Sequence, residues 1–129
     1  MPFLLDTCTL FWLSSDKQRI SREASRVIAE NPDDLFVSAI SAFELGVKGR
    51  KGQFNFSMGV EEWFRQTLKF YGISLVPIGF QIASQSTQLP PIHTDPCDRI
   101  IIATAQEYNM KILTPDEHIQ QYAKALCLW

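Results

Sequence analysis

Residues 95–113, DPCDRIIIATAQEYNMKIL, predict a buried helix followed by a strand. Pro96 fits the first turn of a helix, because the N–H group that proline lacks would have no partner within the helix there. Residues 100–103 are apolar on nearly every side of that helix, which is typical of a helix covered on both sides by other elements. The apolar run at 111–113 then predicts a strand. This stretch therefore indicates a fold in which helices pack against a sheet.

The same alternation of strands and helices extends through the rest of the chain. Short apolar segments predict strands at residues 3–5, 35–37, 73–76 and 111–113, with a final one at 126–129. Apolar residues at helical spacing predict further helices at residues 10–13, 21–30, 39–48, 60–71, 80–88 and 116–123. Because parallel strands need crossover connections, this order predicts an α/β protein: a three-layer α/β/α sandwich with a mostly parallel sheet of four to five strands. No linker or repeat interrupts the chain, so we expect a single domain over residues 1–129.

Composition limits the classes of protein to which the chain can belong. A chain of 129 residues with 46% hydrophobic and 20% charged residues can form an ordinary core. A net charge of -2 argues against a protein that coats duplex nucleic acid, but it leaves room for an enzyme with local RNA contacts. Its three cysteines lack metal-ligand or disulfide spacing. With no signal-like or membrane-spanning apolar segment, we expect a cytoplasmic protein that does not enter a membrane.

Four acidic residues stand where a parallel sheet binds its ligands, beyond the carboxyl ends of the strands. Asp6 directly follows the first strand, and Asp116 follows the strand at 111–113. Glu44 lies in the helix after the second strand, and Asp98 lies in the first turn of the helix that begins at Pro96. Carboxylate oxygens are the donors that Mg2+ and Mn2+ prefer. The four acids therefore predict a site for one of these cations.

Each acid also has a purely structural explanation, because short polar residues cap helices. Asp6 could cap the helix that follows it, and residues 41–44 match the spacing of a capping box. Thr114 could cap the last helix, which would leave Asp116 as an acid in its first turn. Asp95 is interpreted as the cap of the helix at Pro96, with a structural role. Capping alone does not explain why the strand at 73–76 ends without an acid.

Four segments together resemble the PIN-domain ribonucleases, and within them the VapC-like toxins of toxin–antitoxin pairs. The segments are LLDTCTLFWL, SAISAFELGVK, HTDPCDRIIIATAQ and ILTPDEHIQQY, which together span nearly the whole chain. In the family an Asp ends the first strand, a Glu lies in the helix after the second, an Asp opens a late helix and a further Asp follows the next strand. The chain departs from a common family motif at Thr94 and Cys97, where Arg and Phe are usual.

The resemblance implies an endoribonuclease that hydrolyses RNA phosphodiester bonds with water activated by Mg2+, or by Mn2+. The implied catalytic and metal-binding residues are Asp6, Glu44, Asp98 and Asp116. Glu44 has the more open role, since it could bind metal or orient the attacking water. The resemblance also implies a homodimer and a cognate antitoxin, which would insert an Arg or its C-terminal segment into the acidic groove.

Other polar residues close to the four acids are weaker candidates. Thr7 and Thr114 could orient metal ligands, or they could be ordinary caps. Lys48 and Arg99 could contact RNA phosphates, whereas Arg50 and Lys51 fit a solvated basic loop. The only two histidines are not favoured as general bases, and the first of them is expected to order its proline-rich loop; they are His93 and His118.

Two alternatives remain open at the level of sequence. The first is a non-catalytic PIN-like module that binds RNA or a protein. The second is a receiver-type domain in which Asp6 accepts phosphate. Such domains usually place another acid beside that Asp, and the segment DTCT offers none.

Overall fold

A computed structural model describes residues 1–92 and 94–129, so the expected ordering role of His93 lies outside the described residues. The strands are β1 Phe3–Leu5, β2 Leu35–Ser38, β3 Ser74–Val76, β4 Lys111–Leu113 and β5 Cys127–Leu128. The α-helices are α1 Thr7–Ser15, α2 Arg22–Glu30, α3 Ile40–Arg50, α4 Val60–Tyr71, α5 Phe80–Thr87, α6 Pro96–Tyr108 and α7 Glu117–Ala123. Short 3-10 turns lie at Lys17–Arg19 and Lys124–Leu126.

All five strands are parallel and lie in the order β3-β2-β1-β4-β5. Leu5 in β1 is in register with Val37 of β2 on one side and with Leu113 of β4 on the other. Along the chain, β2 and β3 are thus added on one side of β1, and β4 and β5 are added on the other side. The strand order reverses between β1 and β4, at a position that we call the switch point. Open α/β sheets bind ligands at such a point.

Each face of the sheet is covered by its own hydrophobic core. Successive residues of a strand point to opposite faces. Leu5 therefore packs with α1, α2, α3 and α4, whereas Leu4 packs with α5, α6 and α7. Helices on both faces make three layers, which confirms the predicted α/β/α sandwich and its parallel sheet.

Helix α6 is the most deeply buried of the described helices, as its apolar sequence predicts. Ile101, Ile102, Ala103 and Ala105 are at most 1% exposed. Thr104 is also fully buried, and its hydroxyl donates to the carbonyl of Ile100 one turn earlier. Buried from Ile101 to Ala105, α6 packs against the sheet and holds its N-terminal residues at the sheet edge.

Two helices extend beyond the residues predicted for them by two residues or more. Helix α1 begins at Thr7 and not at residue 10, because the Asp6 carboxylate accepts from the backbone N–H of Thr9 and starts the helix earlier. Helix α3 continues through Gly49 to Arg50, beyond the predicted end at residue 48. A side chain at Gly49 would lie about 3.0 Å from the ring of Phe56, so glycine permits the close approach of the segment that follows α3.

Candidate active site

The carboxyl ends of the central strands border a cleft of about 80 Å³. The residues that line it are Asp6, Thr7, Cys8, Glu44, Lys48, Asp95, Asp98, Ile101 and Asp116. All four acids singled out in the sequence are among them. A larger groove of about 630 Å³ beside α3 contains no acidic residue, so size alone does not locate the chemistry.

Asp6 is both a helix cap and a member of the cleft. It is 4% exposed; its Oδ1 accepts from the N–H of Thr9 at 2.8 Å and its Oδ2 accepts from the Thr114 hydroxyl at 2.5 Å. Burial raises the pKa of Asp6, hydrogen bonds from Thr114 and Thr9 oppose that rise, and the charge of Asp116 adds to it. A cation in the cleft would offset the free-energy cost of ionising the buried Asp6 carboxyl.

Glu44 points into the cleft from α3 and does not form the capping box. Helix α3 begins at Ile40 without a side-chain cap, so that structural alternative is wrong. Glu44 Oε1 accepts from the Thr7 hydroxyl at 2.5 Å, and Oε2 lies 3.0 Å from Lys48 Nζ. Thr7 Oγ1 also lies 2.9 Å from the hydroxyl oxygen of Ser41, which fixes its position. Glu44 is thus held from two sides at the edge of the sheet.

Three carboxylates converge closely enough to share one cation. Glu44, Asp95 and Asp98 each offer one oxygen, and these oxygens lie within 4.8 Å of one another. Asp95 is the N-cap of α6, as predicted, and accepts from the N–H of Cys97 at 2.9 Å. Its place in the cluster was missed, because a capping signature accounts for the residue without a ligand. The available signal was the spacing of Asp95 and Asp98, which lie one helical turn apart.

Asp116 completes the cleft on the side of β4. Asp116 is itself the N-cap of α7, and its Oδ1 accepts from the N–H groups of His118 and Ile119 at 2.8 and 3.0 Å. The expectation that Thr114 caps this helix is therefore wrong. Thr114 is fully buried; its hydroxyl accepts from the N–H of Asp116 at 3.0 Å and donates to Asp6. Thr114 thereby joins the two acids at the switch point.

The basic candidates occupy different places. Lys48 lines the cleft; burial lowers its pKa, but the hydrogen bond and charge of Glu44 outweigh burial and the pKa is raised. Arg99 is not among the lining residues. Its guanidinium donates to the Tyr122 hydroxyl, and to carbonyls at the end of α5 and in the segment after it, at Ser86, Leu89 and Pro90. Arg99 therefore joins α6 to α7 and to that segment.

The Cys8 and Cys97 thiols and the His118 imidazole contribute little to the cleft. Burial raises the pKa of Cys8 to about 11 and that of Cys97 to about 12, so both thiols are protonated at neutral pH. The His118 side chain is 61% exposed and lies outside the lining. Among the residues that the structure describes, the donors available to a cation are therefore carboxylate oxygens, and this set suits Mg2+ or Mn2+ better than a cation that prefers sulfur.

Comparison with known proteins decides the family. A family model described as PIN domain matches residues 3–125. The chain belongs to the PIN domain family. This PIN domain is 33% identical over 120 residues to the protein "Ribonuclease VapC22" of Mycobacterium tuberculosis (strain ATCC 25618 / H37Rv), a match that covers 92% of the chain and 90% of the relative.

Solved structures of the same fold come from toxin–antitoxin systems. A toxin–antitoxin complex from Klebsiella pneumoniae has a chain that superposes with a TM-score of 0.66 at 25% identity, covering 98% of this PIN domain and 95% of that chain. DNA-bound VapBC from Salmonella typhimurium gives a TM-score of 0.67 at 18% identity over 95% and 92% of the two chains, a likeness of fold alone. Within the described residues, no helix is long and apolar enough to cross a membrane.

Proposed function

We propose that this PIN domain, a single domain over residues 1–129, is a Mg2+-dependent endoribonuclease and the toxin of a toxin–antitoxin pair. The observation that carries the proposal is the gathering of Asp6, Glu44, Asp98 and Asp116 in one cleft at the switch point of the sheet. Helix capping explains some of these acids singly, but it does not require them to line the same cleft. The relative named Ribonuclease VapC22 supports the choice of RNA as substrate.

The residues on the two sides of the cleft have different parts in holding the cation. Glu44, Asp95 and Asp98 offer the closest set of oxygens, while Asp6 and Asp116 face them from the ends of β1 and β4. When bound, Mg2+ would lower the pKa of a water molecule and neutralise charge on the phosphate. Mn2+ has the same preference for oxygen ligands and could replace it.

Side chains in the cleft would orient the metal ligands, the attacking water and the RNA phosphate. Thr7 and Thr114 each donate a hydrogen bond to one carboxylate, Glu44 and Asp6 respectively, and so fix the directions of the remaining oxygen lone pairs. Glu44 would either bind the metal or orient the attacking water. Lys48 is the one cation among the lining residues and would contact a phosphate oxygen of the RNA.

The proposed partners follow from the same surface. An antitoxin would place a basic residue in the acidic cleft, and the solved relative from Klebsiella pneumoniae is a toxin–antitoxin complex. The protein would act in the cytoplasm as a homodimer, with exposed aromatic residues available for contact between subunits. Phe80 is 81% exposed and Phe43 is 62% exposed. Molecular mass in solution, with and without the antitoxin, measures both associations.

Cleavage of a panel of tRNA and rRNA substrates tests the enzymatic proposal. The purified protein is incubated with Mg2+ or with a chelator, beside the variants Asp98→Asn and Asp33→Asn. Asp33 is exposed and precedes β2, at the opposite end of that strand from the cleft, so its variant controls for the loss of one negative charge. We expect cleavage with Mg2+ by the parent and by Asp33→Asn alone. Cleavage in chelator would contradict the mechanism, and RNA binding without any cleavage would favour the non-catalytic module.

A further inference from the structure

Lys48 occupies an unusual position for a basic residue, because the other charged residues described along the cleft are all acids. Its Nζ lies 3.0 Å from Glu44 Oε2, and its side chain is only 30% exposed. The ammonium also lies 5.6 Å from the centre of the Phe54 ring, whose face attracts cations. Lys48 is therefore held in place by a carboxylate and an aromatic ring together.

Five carboxylates and one ammonium line the cleft. The oxygen of Glu44 that is not bonded to Thr7 is the one that contacts Lys48. Glu44 is also one of the three acids whose oxygens converge within 4.8 Å. A divalent cation bound by this group would share a carboxylate with the ammonium, and two positive charges at that distance repel. A bound metal and the Lys48 ammonium would thus compete for the Glu44 carboxylate.

We propose that Lys48 is a built-in counter-cation that balances the acidic cleft before metal binds and competes with the metal for Glu44. Lys48 thereby acts as a positioning residue that sets the metal concentration which the enzyme requires. On metal binding, the ammonium gives up Glu44 while remaining in the cleft. This inference rests on the proposed function, because it takes the acidic cleft to be the metal site.

Calorimetric titration of the full chain with Mn2+ alone tests the competition. The variants are Lys48→Met, Lys48→Arg and, as the matched control, Lys51→Met, which removes the same charge from an exposed position three residues away. We expect Lys48→Met to bind Mn2+ about tenfold more tightly than Lys51→Met, a difference of about 1.4 kcal/mol. Lys48→Arg keeps the charge and should bind Mn2+ like the parent.

Thermal unfolding gives a second readout that does not depend on RNA cleavage. In chelator, Lys48→Met should melt below Lys51→Met, because Glu44 has lost its counter-ion, and Mn2+ should raise its Tm by the larger amount. If Lys48→Met lacks a cooperative transition, Lys48→Gln replaces it in both measurements. Equal Mn2+ affinity in the Lys48→Met and Lys51→Met variants, or weaker binding by Lys48→Met, would overturn the inference. A parent that binds Mn2+ but cleaves no RNA would instead refute the proposed activity.

Discussion

Asp98 shares its end of the cleft with two other carboxylates, Glu44 and Asp95, whose oxygens lie within 4.8 Å. Two like charges about 4 Å apart repel by roughly 4 kcal/mol at an effective dielectric of about 20. Because Lys48 offsets part of this repulsion, we expect Asp98→Asn to stabilise the metal-free protein by on the order of 1 kcal/mol. The same variant should lose RNA cleavage by more than roughly 100-fold.

Unfolding in chelator and RNA cleavage in Mg2+ together check the Asp98 prediction. Asp33→Asn is again the matched control, and it should change neither quantity. An Asp98→Asn protein that cleaves RNA like the parent would show that this residue has been wrongly assigned to catalysis.

Thr114 joins two acids through one buried hydroxyl, which donates to Asp6 and accepts from the N–H of Asp116. Thr114→Val keeps the shape but removes both bonds, so we expect a loss of about 1–3 kcal/mol in the free energy of unfolding. Cleavage should fall as well, because the Asp6 carboxylate loses its fixed direction.

Thr104→Val is the matched control for Thr114→Val, since Thr104 is equally buried but bonds only within α6. Chemical denaturation and cleavage rates of the two variants are compared. If both variants retain full activity, Thr114 has only a structural role in the cleft.

Among the acidic residues that line the cleft, the sequence predicted most but not all. Asp6 and Asp116 were predicted from their places after strands, and Glu44 and Asp98 from their places in helices beside that edge of the sheet. The structure places all four in one cleft. Asp95 was interpreted as a cap alone, because a residue that satisfies a local hydrogen bond gives no sign of a second role. The contact between Glu44 and Lys48 was not predicted either, although two residues four apart on one helix are neighbours. That the pair lies in the cleft depends on which face of α3 meets the sheet edge.

Three helices each have an acid of the cleft as their N-cap, so the start of each of these helices contributes one residue to the site. Asp6, Asp95 and Asp116 are the N-caps of α1, α6 and α7. The N-terminus of a helix carries a partial positive charge, which favours a carboxylate there even without a metal. Capping and metal binding are therefore compatible functions of one side chain, although they looked like alternatives in the sequence.

Substitution of Asp116 can separate capping from metal binding. Asparagine caps a helix about as well as aspartate, whereas alanine costs typically about 1 kcal/mol. We expect Asp116→Asn to retain stability but lose most of its cleavage activity, and Asp116→Ala to lose both. Ser21 caps α2 away from the cleft, so Ser21→Ala should lower stability alone. If Asp116→Asn cleaves RNA at the parental rate, Asp116 serves only as a cap.

The order of elements was predictable, but their ends were less so. Short, mostly apolar strand segments and helices of regular periodicity predicted the α/β class. Helix α1 starts earlier than its apolar residues suggest, because a cap and not a hydrophobic residue begins it. Helix α3 extends through Gly49 despite the low helix propensity of glycine, and the absence of a side chain there leaves room for the Phe56 ring.

For the whole molecule, the strand order gathers residues that are far apart in the chain. With β1 between β2 and β4, the carboxyl ends of the three strands adjoin, and acids as distant as Asp6 and Asp116 meet. The metal-free fold therefore contains a concentration of negative charge that the unfolded chain lacks. A ligand that binds only the folded state stabilises it.

Mg2+ or Mn2+ should accordingly raise the melting temperature of the parent protein. At 100 times its dissociation constant, a metal adds about 2.7 kcal/mol to the free energy of unfolding. Na+ at matched ionic strength is the control, because general screening by salt also reduces repulsion between acids. A Tm that rises equally with Na+ would show that no specific site is present.

Calorimetric titration with Mn2+ tests the central claim most directly, since that claim is that the four acids form one metal site. The parent is compared with Asp6→Asn, Glu44→Gln, Asp98→Asn and Asp116→Asn, and with Asp33→Asn as the control. The account predicts that the parent and the control bind Mn2+ alike, and that each of the four other variants binds more weakly, Asp98→Asn most of all. Unchanged Mn2+ affinity in Asp98→Asn, or no binding by the parent, would contradict it.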